Sequence, residues 1–296
     1  LKKILIVALV LLAAAAAVIA LNVGSSTRHT RAEQVESNSN PPPVLDSNTN
    51  KPYTSLISQR KLDAKVVQPL GSRAFAVSRS GAFRPSGDAR EFVLSRIGAS
   101  DAGDSTASFE IYLATLDCRN AGSPDEIRST ALLSSKADQK TALESSDQRL
   151  NECSSLLKDS ALYAPGKWLL KAAQQGSVEA MLLYATDTES AFGGSNAAVR
   201  NPEAVVEWKK DAESFLNTAA SQGSVDALVA LGRANTSGII VERNPTEAYA
   251  YYLAAKKAMP SALSDKLLDM YSDELSPAQQ QAAFRRADAI YRNCCQ

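Results

Sequence analysis

Apolar side chains recur at steps of three and four through the later part of the chain. Ala204, Val205, Trp208, Ala212, Phe215, Leu216, Ala219 and Ala220 form one such stripe, and Ala248, Tyr251, Tyr252 and Ala255 another. That spacing places them on one face of an amphipathic helix. The punctuation agrees. Asn201–Pro202 and Asn244–Pro245 each put a side-chain cap before a proline at the first helical position, where its missing amide hydrogen costs nothing. Pro260 stops the second helix.

A stretch of nine residues, AAQQGSVEA at Ala172–Ala180, returns as AASQGSVDA at Ala219–Ala227, 47 positions later. It reads as a hinge between two helices. Alanines end one helix, Gly176 or Gly223 takes the left-handed conformation that closes it, and Ser177 or Ser224 caps the next. After the second copy, Val225, Leu228, Val229 and Leu231 continue the apolar face. A fainter copy begins at Gly103, with Ala107 at the matching distance. The RNPEA and RNPTEA segments lie 43 residues apart, so a few residues have been gained or lost in a loop, as helical repeats tolerate. Alanine at the helix crossings lets two backbones approach closely.

These residues resemble Sel-one-like repeats, relatives of the tetratricopeptide repeats. The matching positions include Trp168, Ala172, Ala173, Gly176, Ala180, Trp208, Ala219, Ala220, Gly223, Ala227, Leu231, Gly232, Gly238, Ala248, Tyr252 and Ala255. The match is good over 166–259 and weak over 88–159. The first loop lacks the family's Gly-x-Gly-Val order, and Ala212 and Thr218 interrupt the Tyr-x-x-Ala-Ala run. The resemblance implies an all-α fold, a right-handed α-solenoid of stacked antiparallel helix pairs, that binds other proteins as an adaptor. On this reading residues 97–296 are the repeat domain, with capping helices over 261–296. Ser276–Pro277 starts the last helix, whose outer face carries Gln279, Gln280, Arg285, Arg286 and Arg292.

The first 23 residues form a segment of their own. Lys2 and Lys3 precede an uncharged run from Ile4 to Leu21. A helix of that length reaches about 27 Å, enough to span a bilayer core. The competing reading is a secretory signal cleaved at Ala15–Ala17, which would leave the apolar VIALNV at the new terminus. The first reading places an anchor in the bacterial inner membrane with the body in the periplasm, and the second leaves a soluble periplasmic protein. Residues 24–60 are polar and contain Pro41–Pro43, the composition of a disordered tether.

The formal charge is zero, from 32 basic and 32 acidic side chains, but it is unevenly spread. Arg60 to Arg96 carries eight basic and three acidic residues, whereas Ile97 onward carries 19 and 26. A basic extended arm, residues 61–96, leading into the first helix, therefore precedes an acidic body. Such asymmetry can mean an anionic partner; more often the arm is solvated or lies on its own acidic domain. Its arginines are scattered singly, without the clustering of a nucleic-acid site.

Candidate chemistry is sparse. The one histidine, His29, lies in the tether, away from any nucleophile of the body, so Ser-His and Cys-His mechanisms lack their base. No phosphate-binding, dinucleotide-binding, zinc or nucleophile-elbow motif appears. The acid pairs Asp101/Asp104, Asp187/Glu189 and Asp273/Glu274 read as solvated helix caps. Cys118 closes one amphipathic helix and Cys153 lies on another, with Leu143, Leu150 and Leu157 at seven-residue steps. Antiparallel pairing of the two would bring the sulfurs together, and in an exported protein they would be oxidised; the alternative is two buried thiols. Cys294 and Cys295 could cross-link chains, bond an earlier segment or stay reduced. Trp168, Trp208 and Tyr252 read as core. Tyr249, off the main stripe, is the expected exposed contact for a partner.

The expectation is a non-enzymatic scaffold or adaptor in the cell envelope. It would have a protein partner, membrane attachment through the first helix, and no cofactor, metal, nucleic acid or small-molecule substrate. An inhibitor or immunity protein of a secreted enzyme, and from another class an envelope hydrolase, are the alternatives.

Overall fold

The computed structural model describes residues 66–79, 82–121, 132, 135–192 and 197–296. The chain divides into two units, 1–49 and 50–296, and the described residues all belong to the second. The expected anchor, tether and His29 lie outside the described residues. No helix among those described is long and apolar enough to cross a membrane.

The fold is mostly helical. A small antiparallel hairpin, β1 (Val67–Pro69) and β2 (Phe75–Val77), pairs Val67 with Val77 and Pro69 with Phe75. Helices α1 (Ala89–Asp101), α2 (Ser105–Asn120), α3 (Lys136–Leu157), α4 (Pro165–Gln174) and α5 (Val178–Tyr184) follow. Two short turns of helix, α6 (Thr188–Phe192) and α7 (Ala197–Arg200), lead into α8 (Pro202–Ser221). Then come α9 (Val225–Ser237), α10 (Pro245–Ala258), α11 (Asp265–Asp273) and α12 (Pro277–Cys294). Packing passes from neighbour to neighbour: α1 on α2, α2 on α4, α4 on α5, α5 on α8, α8 on α9, α9 on α10, and α10 on α12.

The helix starts follow from their caps. Asn201 accepts from the Ala204 amide, Asn244 from Glu247, and Ser276 forms a reciprocal capping box with Gln279. In the two copies of the nonapeptide, Ser177 accepts from the Ala180 amide and Ser224 from Ala227. Gly176 and Gly223 sit at φ 100° and 99°, and Gly103 in the faint copy sits at 92°. There Asp104, not serine, caps the next helix.

Small residues set the approach of α9 to α10. A Cβ on Gly232 would lie 2.4 Å from the Tyr252 ring, so the ring packs directly onto the backbone of α9. Trp168, Trp208 and Tyr252 are buried, each indole donating to a backbone carbonyl: Trp168 Nε1 to Leu162 O at 2.8 Å and Trp208 Nε1 to Tyr184 O at 2.9 Å.

Four expectations change. Tyr249 is buried, against Phe284 at a centroid distance of 6.0 Å, because α10 is covered by α9 on one side and by α12 on another. One apolar stripe is not the whole interior of a helix packed on two sides, and Ala250 and Ala254 are buried as well. The arm does not run extended to residue 96. It folds as the hairpin, and α1 already begins at Ala89, capped by Asp88. On α3 the leucines at seven-residue steps, Leu143, Leu150 and Leu157, are 52%, 39% and 40% exposed, while Cys153 and Leu156 face inward. Cys294 and Cys295 are bonded to each other at the end of α12, buried beneath the hairpin, where Ser72 Oγ is 3.5 Å from Cys295 O.

Candidate functional site

Both nonapeptides carry an acid three residues after the glycine, Glu179 and Asp226, in the first turn of α5 and α9. A carboxylate there is favoured by the helix dipole. In the folded chain both also hold the hairpin. The even-numbered residues of β2 and its flanks pair with β1, as in Ser78 N to Val66 O at 2.7 Å, so the Phe75 and Val77 amides point to the opposite edge. Phe75 N donates to Gly223 O at 2.9 Å and Val77 N to Asp226 Oδ2 at 2.7 Å. Two residues on, Arg79 grips Glu179 through two nitrogens, at 2.6 and 2.8 Å, with its guanidinium 5.4 Å from the centre of the Phe109 ring. The Phe75 side chain is buried, and Arg73 O lies where a Cβ on Gly223 would be, 2.3 Å away. The starts of α9 and α5 thus hold an extended strand by two backbone amides and one arginine, and the strand's one aromatic ring is buried.

Further along the arm, Arg84 is buried among α2 and α3. Its Nε is 3.1 Å from Asp117 Oδ2 and its Nη2 is 2.9 Å from Glu152 Oε2, while Nη1 donates to Pro85 O and Gly87 O. Arg149 Nε approaches Asp117 at 3.4 Å. The Glu152 carboxyl is held below its ordinary range, first by a hydrogen bond from Gln148 and also by Arg84. Beside this cluster the sulfurs of Cys118 and Cys153 are 2.03 Å apart, joining α2 to α3. Asp117, Cys118 and Cys153 bring one carboxylate oxygen and two sulfurs within 4.8 Å. With the sulfurs bonded and the carboxylate against two guanidinium groups, they offer no ligand set for a metal.

A third cluster centres on Asp187, between α5 and α6. It accepts from Tyr112 Oη at 2.6 Å, from both terminal nitrogens of Arg119 at 3.2 Å, and from the Ser190 hydroxyl and amide. Burial alone would raise the Asp187 pKa, but these hydrogen bonds outweigh it and lower it. The same burial, with Asp187 as acceptor, pushes the Tyr112 phenol well up. Ser190 Oγ already donates to Asp187 and accepts from Arg119 at 2.7 Å, so it is not poised as a nucleophile.

The expected site residues therefore fall into groups. Ala173, Ala180, Ala220, Ala227 and Ala248 are buried at helix contacts. Gly176 and Gly223 form the two hinges, and Gly238 closes α9 with a left-handed residue. Of the acid pairs, Asp104 is a cap, Asp101 pairs with Lys171 and Glu274 with Arg243. Asp187 does more than cap. Arg79, Arg84, Glu179, Asp226 and Asp187 were not singled out for these contacts by the sequence reading. For Glu179 and Asp226 a signal exists, an acid kept at the same place in both copies. No family model matches the chain, and no curated protein matches it.

Proposed function

We propose that the chain is a non-enzymatic protein-binding scaffold of the bacterial cell envelope, built as an α-solenoid of Sel-one-like repeats and tethered through its first helix. The observation that carries this reading is the seating of residues 73–79 on the starts of α5 and α9. A surface that takes an extended segment by alternate backbone amides, a buried ring and a bidentate arginine is built for polypeptide. The neighbour-to-neighbour packing of the helices and the repeated Gly-Ser hinges support the solenoid. The carboxylates of the three polar clusters are engaged by hydrogen bonds and ion pairs within the chain, which favours binding over catalysis.

The test is cross-linking of the full chain in intact bacterial envelopes, followed by identification of what it joins. A defined protein, captured reproducibly and lost when the helices are unfolded, is the expected result. A chain that joins no protein yet cleaves peptidoglycan fragments would replace the scaffold with a hydrolase.

A further inference from the structure

We infer that the starts of α5 and α9 form a binding groove for an extended basic peptide, which the arm occupies in cis. The ligand it takes in trans has an aromatic residue and, four positions later, an arginine. This rests on the protein-binding reading and adds the ligand's chemistry to it.

Three observations separate a groove from a mere strap. The groups that hold the arm belong to the body's repeating part: Gly223 O and Asp226 in one copy of the nonapeptide, Glu179 in the other. Two of the contacts are made to backbone amides of Phe75 and Val77, so they do not depend on the arm's own side chains. Sequence is read at two places, the buried Phe75 ring and the Arg79 fork against Glu179 and the Phe109 ring. The acidic balance of the body, 26 acidic against 19 basic residues from position 97 on, favours a basic ligand.

A hairpin lifted from the groove would remain tethered beside it. Arg84, its side chain 3% exposed and paired with Asp117 and Glu152, fixes the chain five residues beyond Arg79. With that point held, the hairpin stays at high effective concentration over the groove, and a ligand in trans must compete with it.

A fluorescent peptide of residues 66–79 is titrated with the full chain and with a full chain carrying Phe75→Ala and Arg79→Ala. The variant keeps the groove and strips its own arm of both anchors. It is expected to bind the peptide at least about tenfold more tightly than the unmodified chain, because the tethered competitor is weakened. Adding Glu179→Gln should reverse most of that gain. Equal binding by both chains, or equal binding of a scrambled peptide, would overturn the groove.

Should the double variant lose its helical circular dichroism, amide exchange on the unmodified chain decides. Phe75 and Val77 amides that exchange at least about tenfold faster than those of Leu228 and Leu231 in α9 support a lifting hairpin. Exchange of all four at the same rate shows a fixed strap and overturns it. An envelope protein cross-linked equally well by both chains places the partner surface elsewhere, refuting the groove while the scaffold reading stands.

Discussion

The two ends of the described body are held together by different chemistry. From the arm to α6 an apolar core around Phe109, Ile111, Leu113 and Leu169 is crossed by inner polar and covalent ties: Arg84 between Asp117 and Glu152, Arg119 and Tyr112 on Asp187, and Cys118 bonded to Cys153. Ser100, Ser108 and Gln175 add a hydrogen-bonded chain linking α1, α2 and α4. From α8 to α12 the ion pairs, among them Arg243 with Glu274, Lys257 with Asp288 and Arg286 with Glu247, lie at the surface, the one disulfide joins adjacent residues, and the inner ties are close contacts of small and aromatic residues. Ala219, Ala220, Ala227, Ala248, Ala254 and Ala255 are buried there, Tyr252 packs onto Gly232, and it stacks on Tyr271 at 4.7 Å. Apolar contacts at helical spacing demand particular residues at particular intervals. Polar ties demand only that two side chains meet, wherever they fall in the chain.

The strongest way to break the first region is through its disulfide. Replacing Cys118 and Cys153 by serine opens a link between residues 35 positions apart. It should cost about 4 kcal/mol on the chain-entropy model, read as a lowered urea midpoint. Reduction of a chain carrying Cys294→Ser and Cys295→Ser, which keeps the Cys118–Cys153 bond, should reproduce the loss. An unchanged midpoint would leave Arg84 and its carboxylates as the tie that matters. In the second region the matching cut is Leu228→Ala, in a fully buried position on α9. A cavity there should cost about 3 kcal/mol.

The two hinges permit a finer comparison, since they share sequence and φ but not surroundings. A Cβ on Gly176 would meet nothing within 4 Å, whereas on Gly223 it would meet Arg73 O at 2.3 Å and Cys294 O at 3.2 Å. Gly176→Ala should therefore show backbone strain alone, about 1 kcal/mol. Gly223→Ala adds displacement of the hairpin and should cost about 2 to 3 kcal/mol. Urea unfolding of the two variants measures the difference. Equal losses would mean that the arm yields at Gly223 at no cost.

This division also explains what could be read from the residues. The helix starts at Asn201, Asn244 and Ser276, the three glycine turns and the burial of Trp168, Trp208 and Tyr252 were legible, because caps, left-handed residues and apolar stripes are local. The resemblance to a repeat family was good over 166–259 and faint before it, and the faint part is the polar one. Arg84 meets Asp117 and Glu152 across 33 and 68 positions, a pairing no period announces. Tyr249 was misplaced because a single stripe says nothing of a second helix covering another face. The site on the arm was half legible: the acid common to both nonapeptides stood in view, but its use as a strand receptor needs the hairpin seated on it.

The smallest effect at neutral pH, and the one that separates the regions most sharply, is acid loosening. Four carboxyls of the first region, Asp88, Glu152, Asp159 and Asp187, are held below their ordinary values. The leading causes are hydrogen bonds from Ser155, Gln148 and Arg90 for the first three, and for Asp187 the bonds that overcome its burial. In the second region only Asp288, paired with Lys257, is lowered among the described residues. A carboxyl whose folded pKa is depressed stabilises the fold fully above its unfolded value, near pH 4, and that contribution is lost as pH falls through the folded value. Nothing should change between pH 8 and about pH 5 on this account. Below about pH 4, amides of α2 should lose hydrogen-exchange protection before those of α10. An Asp187→Asn chain, lacking one titrating group, should show a shallower fall in stability with acid. Simultaneous loss of protection in α2 and α10 would mean that the two regions, however differently held, unfold as one cooperative unit.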